Sequence, residues 1–231
     1  MPDVVVLASG GINSTVAAVR ARSAGKAYLL HADFGQPSSV GQRAAVRAIA
    51  DAIGAAAGLI ELPHVAKIAG VKRSASGKVA IDPKAGPALA TVGQVPGLAV
   101  ALLSAAMHFA YRVGATAVIS GASEQANEIE MEAAPGGAQP DHRREFFYLA
   151  GMMFEQLQRS RTPISIESPL IDLSRGEIIK LGNRDGAPFD LTYSCRAARD
   201  VACGQCPACA ARAKAFAAAG LVDPALASQR A

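Results

Sequence analysis

Residues 4–14 read VVVLASGGINS and are followed by the helix-forming stretch TVAAVRARSAG. The apolar run predicts a buried strand, the two glycines end it, and the next residues predict a helix. Such a corner leaves backbone N–H groups unpaired at the positive end of a helix, which favours a bound phosphate. An ordinary strand-turn-helix corner with serine as the N-cap residue is the alternative. The pattern is neither GxxxxGK[ST] nor GxGxxG, so it predicts neither of those nucleotide loops.

The length and composition indicate a single α/β domain with a small appendage. The 231 residues carry a formal net charge of +4 with no long run of like charges. This mild basic excess suits an anionic small ligand, and it gives no reason to expect nucleic acid as a direct partner. No secretory signal precedes the first strand, and the most apolar stretch, from Gly97, is too short to span a membrane. We therefore expect a cytoplasmic protein without a membrane partner.

Strand and helix patterns alternate along the chain. Apolar runs typical of strands lie at 3–8, 27–33, 58–62, 116–120 and 164–167, and helical periodicity at 14–22, 40–56, 97–113 and 142–158. This alternation predicts an α/β fold with a doubly wound, mostly parallel five-stranded sheet. Ligands of such sheets bind beyond the carboxyl ends of the strands, where we expect three turns to meet: Gly10-Gly11, Asp33–Gln36 and Gly121–Glu124. Two long polar segments, 66–96 and 124–141, predict mobile loops, the first a lid.

A cluster of cysteines marks the end of the chain. Cys195, Cys203, Cys206 and Cys209 lie within fifteen residues, with the spacing C-x7-C-x2-C-x2-C. This spacing predicts a structural Zn²⁺ site with four thiolate ligands and no open position for catalysis. An iron–sulfur cluster uses the same ligands and stays open, as do reduced thiols or disulfides. We accordingly divide the chain into a nucleotide-binding domain, 1–190, and a zinc-binding C-terminal subdomain, 191–231.

Six motifs occur in a fixed order along the chain. They are SGG-x-x-S from Ser9, FGQ from Phe34, VPG from Val95, P-D-x-R-x-E-F from Pro140, P-L-I-D-L-S-x-x-E-I-I-x-L-G from Pro169, and T-Y-S-C from Thr192 with the remaining cysteines and R-A-K-A-F. Together they resemble the 7-cyano-7-deazaguanine synthase (QueC) family of the N-type ATP pyrophosphatase, or PP-loop, superfamily. The resemblance implies an adenine nucleotide α-hydrolase-like, Rossmann-like fold.

The resemblance also implies an activity. Enzymes of this family convert 7-carboxy-7-deazaguanine and ammonia to the nitrile, a step toward queuosine, and two ATP are cleaved to AMP and pyrophosphate. It implies Mg²⁺ with the ATP, a structural Zn²⁺ and a homodimer. A carboxylate is a poor electrophile until it is adenylated, so the protein must hold the phosphates and neutralise charge, with no covalent nucleophile.

Residue roles follow from the matched positions. ATP would contact Ser9, Gly10, Gly11, Asn13 and Ser14, with adenine near His31 and Phe34. Arg175 and Asn13 would serve catalysis, Arg175 as a cation on a phosphate oxygen. The deazaguanine would be recognised by Gln36, Asp141, Arg143 and Glu145. Each has an ordinary alternative: His31 as a core histidine, Gln36 as a turn residue, Asp141 as an N-cap and Arg143 with Glu145 as a solvated helix start.

The chain departs from the family pattern at several positions. Asn13 replaces the usual loop aspartate, Arg175 a lysine and His142 a cysteine, while FGQPSS lacks an Arg-His pair and VPGLA an Arg-Asn pair. These changes leave two alternatives open: a paralogue that adenylates another carboxylate or attaches a deazaguanine to a macromolecule, and a non-catalytic ATP or AMP sensor. A tRNA-modifying relative is a further class, although the sequence shows no basic stripe for RNA.

Overall fold

The computed structural model describes residues 2–68, 71–73, 79–81, 97–125, 142–158, 163–196 and 201–227. Within these ranges the strands are β1 Val4–Leu7, β2 Ala27–Asp33, β3 Ala56–Glu61, β4 Val71–Arg73, β5 Val79–Ile81, β6 Ala117–Ser120 and β7 Ser165–Glu167. The helices are α1 Ile12–Ala24, α2 Ser39–Ile53, α3 Pro63–Ile68, α4 Leu98–Val113, α5 Arg144–Leu157, α6 Arg175–Arg184, α7 Pro207–Ala219 and α8 Pro224–Ala227. A 3₁₀ turn, Phe189–Leu191, lies between α6 and α7.

Five strands form one parallel sheet in the order β3-β2-β1-β6-β7. The central strand β1 pairs with β2 from Val4↔Ala27 to Leu7↔Leu30, and with β6 from Val4↔Ala117 to Leu7↔Ser120. The chain builds outward from β1 in one direction to β3 and in the other from β6 to β7. The topological switch point therefore lies between β1 and β6, where ligands of doubly wound sheets bind. The predicted parallel five-stranded sheet is confirmed.

Helices cover both faces of the sheet because its strands are apolar at consecutive positions. Val6 and Leu29 contribute to a core with α1, α2, α6 and α7. Val5 and Leu30 point to the opposite face and join a second core with α4 and α5. The inner strands are thus buried from both sides, as their sequences predicted.

Local sequence signals fix the ends of several helices. At the start of α6, Ser174 Oγ accepts a hydrogen bond from the Glu177 N–H, and the Glu177 carboxylate accepts one from the Ser174 N–H at 2.8 Å. Ser174 and Glu177 thus form a capping box, and its hydrogen bonds lower the pKa of Glu177. Helix α7 begins with Pro207 and ends at Gly220, which adopts a φ of 71° that glycine tolerates without strain.

The C-terminal segment shares the first core. Cys195, Cys209 and Phe216 lie in the same apolar cluster as Val6 and Ile12. The division of the chain at residue 190 stays a prediction, since the two parts are packed through one core.

The expected loop regions are only partly described. Helix α3 and the antiparallel β4–β5 pair lie in the segment for which a lid was predicted, and the rest of 69–96 is outside the described residues, as is 126–141. Among the helices of the described ranges, none has both the length and the apolar character needed to cross a bilayer.

Candidate functional site

The loop between β1 and α1 presents its backbone toward the switch point. Gly11 is the N-cap residue of α1 and has no side chain to accept hydrogen bonds from the first-turn N–H groups. No acidic residue lies in that first turn. The side chains of Ser9 and Ser14 are 3.3 Å apart, and Ser14 Oγ also donates to the Gly11 carbonyl at 3.2 Å. N–H donors and two hydroxyl groups are therefore gathered at the positive end of a helix, which is an arrangement for an anion.

The two loop positions need glycine for different structural reasons. Gly10 adopts a φ of +73°, and a Cβ on it would lie 2.9 Å from both Ala45 Cβ and the Gln42 carbonyl oxygen of α2. Gly10 is thus required by the close approach of the loop to α2. At Gly11 the atom nearest to an added Cβ would be Ser9 Oγ, at 3.4 Å. Gly11 therefore keeps space open at the mouth of the loop.

A second loop closes on the first from β6. A Cβ on Gly121 would lie 2.8 Å from the Ser14 nitrogen and 2.9 Å from the Asn13 carbonyl carbon. Only glycine permits this approach, so the loop after β6 packs directly against the N-terminal turn of α1. The two loops diverge beyond this contact and leave a crevice between them.

A cavity of about 380 Å³ occupies this crevice. Its floor is formed by the β1 and β6 loops, through Ser9, Gly11, Asn13, Ser14 and Ser120–Ala122. One wall is the apolar start of α4, and another is the start of α5 with His142, Phe146 and Phe147. Arg175, Tyr193, Ser194 and Arg196 also line it. The lining of the cavity thus combines a helix N-terminus and two arginines with apolar and aromatic residues.

Five of the predicted site residues line this cavity: Ser9, Gly11, Asn13, Ser14 and Arg175. Gly10 does not line it, although the Gly10 carbonyl oxygen accepts a hydrogen bond from the Tyr193 N–H at 2.8 Å. Arg143 and Glu145 are exposed at the start of α5, beside the residues that do line the cavity. Asp141 lies outside the described residues. Their roles in substrate recognition stay predictions.

The residues predicted near adenine have structural partners in and after β2. His31 is buried, its Nδ1 lies 3.1 Å from the Ala8 carbonyl oxygen, and burial lowers its pKa, so the ring is neutral at pH 7. Phe34 packs beside Leu62 and Leu98 in a small apolar cluster. Neither side chain lines the cavity.

Gln36 is a buried turn residue with an indirect link to the cavity. Its Oε1 accepts from the Phe34 N–H at 2.9 Å, and its Nε2 donates to the Ala32 carbonyl at 2.9 Å. Nε2 also lies 3.0 Å from Gln42 Oε1, and Gln42 lines the cavity. The predicted turn after β2 therefore contacts a residue that lines the cavity, whereas the turns after β1 and β6 line the cavity themselves.

Several cavity residues carry no role in the sequence interpretation. Phe146 and Phe147, Tyr193, Ser194 and Arg196 line the cavity. Phe146, Tyr193 and Ser194 belong to the motifs P-D-x-R-x-E-F and T-Y-S-C, and Phe147 and Arg196 directly follow them. Their position in or next to these motifs is the sequence signal. Two departures from the family pattern, Ala99 and His142, also line the cavity. The substitutions noted in the sequence are thus located where a ligand would be contacted.

The four cysteines come together as one cluster. The Sγ atoms of Cys195, Cys203, Cys206 and Cys209 all lie within 4.8 Å of one another. The first and last of these cysteines are buried, and the other two are partly exposed. The Cys206 sulfur is 3.5 Å from that of Cys209 and 4.0 Å from that of Cys195. Four sulfurs about 2.3 Å from a tetrahedral ion are about 3.8 Å apart, so the cluster has the dimensions to hold one metal ion.

The backbone around the cluster favours thiolates. Hydrogen bonds from the N–H groups of Gln205 and Cys206 lower the pKa of Cys203 to about 6. The Cys206 N–H lies 3.3 Å from the Cys203 sulfur, and the Cys203 N–H lies 3.4 Å from the Cys195 sulfur. A metal ligand must be deprotonated, so these donors prepare the cluster for a cation.

The parallel sheet, its switch-point cavity and the uncapped α1 N-terminus define a doubly wound α/β protein with a site for an anionic ligand. The chain belongs to the QueC family: the family model described as queuosine biosynthesis protein QueC matches residues 3–220. The resemblance seen in the sequence is confirmed.

Curated relatives carry one name. A 7-cyano-7-deazaguanine synthase of Koribacter versatilis is 34% identical over 227 residues, which are 95% of this chain and 91% of that protein. One of Thermosynechococcus vestitus is 35% identical over 235 residues, covering 95% of this chain and 93% of the relative. Among solved structures, the U34-tRNA thiolase NcsA from Methanococcus maripaludis with its [4Fe-4S] cluster is 11% identical, with a TM-score of 0.47 over 81% of this chain and 57% of that one.

Proposed function

We propose that this chain is a 7-cyano-7-deazaguanine synthase, an ATP-dependent ligase that converts 7-carboxy-7-deazaguanine and ammonia to the nitrile with release of AMP and pyrophosphate. The family and its named relatives support this activity. The observation that carries it in this chain is the switch-point cavity, because its lining combines the N-terminus of α1 and Arg175 with aromatic residues. A polyphosphate and a flat bicyclic acid require those two kinds of surface side by side.

At the polyphosphate end the protein acts by position and charge. Ser9, Gly11 and Ser14, with the first-turn N–H groups of α1, hold the phosphates that leave as pyrophosphate. Arg175 faces the same cavity and neutralises charge that develops on the α-phosphate during attack by the substrate carboxylate. Gly10 contributes by holding the loop against α2. The adenine lies near His31 and Phe34, where it contacts the backbone of β2 and of the turn that follows it.

At the other end, Phe146 and Phe147 offer apolar surface for the deazaguanine ring, and His142 offers a polar group beside them. Arg143, Glu145 and Asp141 belong to the same segment in sequence, and we retain them with Gln36 in substrate recognition. Ammonia then attacks the adenylated acid and displaces AMP to give the amide. A second ATP adenylates the amide oxygen with release of pyrophosphate, and loss of AMP and a proton gives the nitrile. Each of these steps needs water to be excluded from the cavity.

Two metal ions belong to the proposal. Mg²⁺ with ATP supplies charge neutralisation at the phosphates, and Asn13 offers a neutral amide oxygen where a carboxylate is usual. Zn²⁺ is the structural ion of the cysteine cluster. The short sulfur separations support a single ion, since a cluster that binds each thiolate to a different iron atom needs the sulfurs farther apart.

We also propose that the protein is a homodimer in the cytoplasm. The outer face of α5 exposes large apolar side chains, at Tyr148, Leu149, Met152, Met153 and Leu157, and a second copy would cover such a face. None of the four cysteines forms a disulfide in the described residues, which agrees with the reducing conditions of a cytoplasm.

The test is product formation by purified protein. With ATP, Mg²⁺, an ammonium salt and 7-carboxy-7-deazaguanine, we expect AMP, pyrophosphate and the nitrile in a ratio of two AMP to one nitrile. Arg175→Gln should reduce AMP release by about a hundredfold or more, because an Arg clamp on the transferred group is lost. Lys180→Gln is the matched control, since Lys180 lies on the same helix but is exposed and away from the cavity.

Other outcomes would replace the proposal. AMP release with a different carboxylate and none with this acid would indicate the paralogue. ATP binding without AMP release under any of these conditions would indicate the sensor.

A further inference from the structure

A short segment links the metal cluster to the phosphate loop. We refer to residues 192–196 as the strap. Its Tyr193 N–H donates to the Gly10 carbonyl at 2.8 Å, so the strap crosses the loop directly. The Tyr193 ring is pressed onto α2, where a Cβ on Gly41 would lie only 2.6 Å from the ring. Both contacts fix the first half of the strap.

The second half of the strap is fixed by the cysteine cluster. Cys195 is 1% exposed, and its sulfur accepts a hydrogen bond from the Cys203 N–H at 3.4 Å. The backbone N–H of Arg196 is hydrogen-bonded to the Cys206 thiol. Arg196 therefore follows one cysteine of the cluster and is bonded through its backbone to another. The position of its Cα depends on where the cluster holds these two residues.

Arg196 is exposed and lines the same cavity as the phosphate loop. Arg196 is three residues from Tyr193, and three residues span at most about 11 Å, so it lies close to the loop. The loop itself, SGGINS from Ser9 to Ser14, has no basic side chain. A polyphosphate there needs cations that other elements supply, and arginine matches phosphate oxygens with a fork of N–H donors.

We propose that Arg196 is a second cation for the polyphosphate, in addition to Arg175, and that the four-cysteine metal centre holds it in place. This inference rests on the proposed function only in taking ATP as the ligand. Metal binding and pyrophosphate binding must then be coupled, each strengthening the other by the same factor. The metal centre is in this case part of the ligand site through the strap, beyond its role in holding the C-terminal segment together.

The experiment measures pyrophosphate and Mg²⁺–ATP binding directly by titration calorimetry, with no need for turnover. Arg196→Gln in the metal-loaded protein should weaken both by about ten- to a hundredfold, the effect of one charge-assisted contact. Arg196→Lys should recover part of the affinity, because it keeps the charge but loses the fork. Arg112→Gln is the control, since Arg112 is exposed at the far end of α4.

The coupling needs a second comparison. Removing the metal with a chelator should weaken pyrophosphate binding in the wild type, measured at a temperature at which circular dichroism shows that the destabilised protein is still folded. The same treatment should change the affinity of Arg196→Gln little, because the group that the metal positions is already gone. Such non-additivity would not arise from a merely structural loss.

Each contrary result is distinct. Full pyrophosphate affinity in Arg196→Gln, or in the metal-free wild type, would overturn the inference. Weaker binding of 7-carboxy-7-deazaguanine with unchanged pyrophosphate affinity would move Arg196 to the other ligand and also overturn it. A wild type that binds ATP and pyrophosphate as expected, yet never forms the nitrile, would sink the proposed function and leave the role of Arg196 standing.

Discussion

Adjacent glycines in the phosphate loop meet different demands. Gly10 combines a positive φ with contact against α2, whereas Gly11 has an ordinary φ of −84°, and a Cβ on it would make only ordinary contacts, the nearest with Ser9 Oγ at 3.4 Å. Gly10→Ala should lower the free energy of unfolding by about 2–4 kcal/mol, from left-handed strain and overpacking. Gly11→Ala should leave stability within about 1 kcal/mol but weaken pyrophosphate binding by about tenfold or more. Thermal unfolding and calorimetric titration of both variants separate the two effects.

The control for this pair is Gly151→Ala, since a Cβ on that glycine of α5 meets nothing within 4 Å. It should bind pyrophosphate as the wild type does, with stability equal or slightly higher. If Gly10→Ala were as stable as the wild type and lost only ligand binding, the two assignments would have to be exchanged.

Asn13 replaces the aspartate that is usual in the family, and this replacement removes a negative charge from the phosphate site. Its side chain lines the cavity in the first turn of α1, where the described structure has no acidic residue. Asn13→Asp adds one negative charge beside the site for Mg²⁺–ATP, so the Mg²⁺ concentration for half-maximal AMP release should fall. The gain should be on the order of 1–3 kcal/mol, or about ten- to a hundredfold.

Asn183→Asp adds the same charge at an exposed position of α6 and should leave the Mg²⁺ requirement unchanged. A higher Mg²⁺ requirement in Asn13→Asp would mean that the carboxylate repels the phosphates more than it binds the metal. The amide at this position would then be an adaptation of the phosphate site itself.

At the scale of elements, a buried arginine of α7 joins this helix to the segment before the cysteine cluster and to the start of α8. Arg212 makes two bonds to Asp223, Nε to Oδ2 at 2.6 Å and Nη2 to Oδ1 at 2.8 Å. Its remaining donors reach Thr192 Oγ1 at 2.7 Å and the Phe189 carbonyl at 3.0 Å. Because the guanidinium is 6% exposed and its donors are used, its charge is balanced where water cannot help.

Asp223→Asn should therefore cost about 3–5 kcal/mol of folding free energy, because it leaves a buried cation without its counter-charge. Urea unfolding of the metal-loaded protein measures this loss. Lys214→Gln, on the exposed side of the same helix, should change stability by no more than about 0.5 kcal/mol. A loss below about 1 kcal/mol for Asp223→Asn would show that water reaches the pair and that α7 is fastened by apolar contacts alone.

The elements of the sheet could be predicted because their signals are local. Apolar runs and helical periodicity give β1 and α4 directly, and S-x-x-E gives the start of α6. The strap could not be predicted, since Tyr193 meets Gly10 across more than 180 residues of chain. In the sequence Arg212 is only part of a motif, whereas its partners in the structure lie on two other segments, residues 189–194 and Asp223. Roles that depend on long-range packing leave no periodic trace in one sequence.

At the scale of the whole molecule, the metal cluster and the sheet share one core. Cys195 and Cys209 pack in the cluster that contains Val6 of β1 and Ile12 of α1. A domain that shared no core with its neighbour would unfold by itself, but a common core makes unfolding cooperative. Loss of the metal is therefore expected to weaken the entire fold.

We predict close to one tightly held Zn²⁺ per chain, measured by elemental analysis, and its loss in Cys206→Ser. Since metal binding at such a site is folding free energy, the variant should unfold at a lower temperature in one transition that includes the sheet. Ala210→Ser, an exposed neighbour on α7, makes a similar small polar change outside the cluster and should keep both the zinc and the melting temperature. Iron with labile sulfide in place of zinc would contradict the assignment of the ion. Two separate transitions in Cys206→Ser, with the sheet melting as in the wild type, would instead support an independent subdomain after residue 190, and the shared core would then count for little in the stability of the sheet.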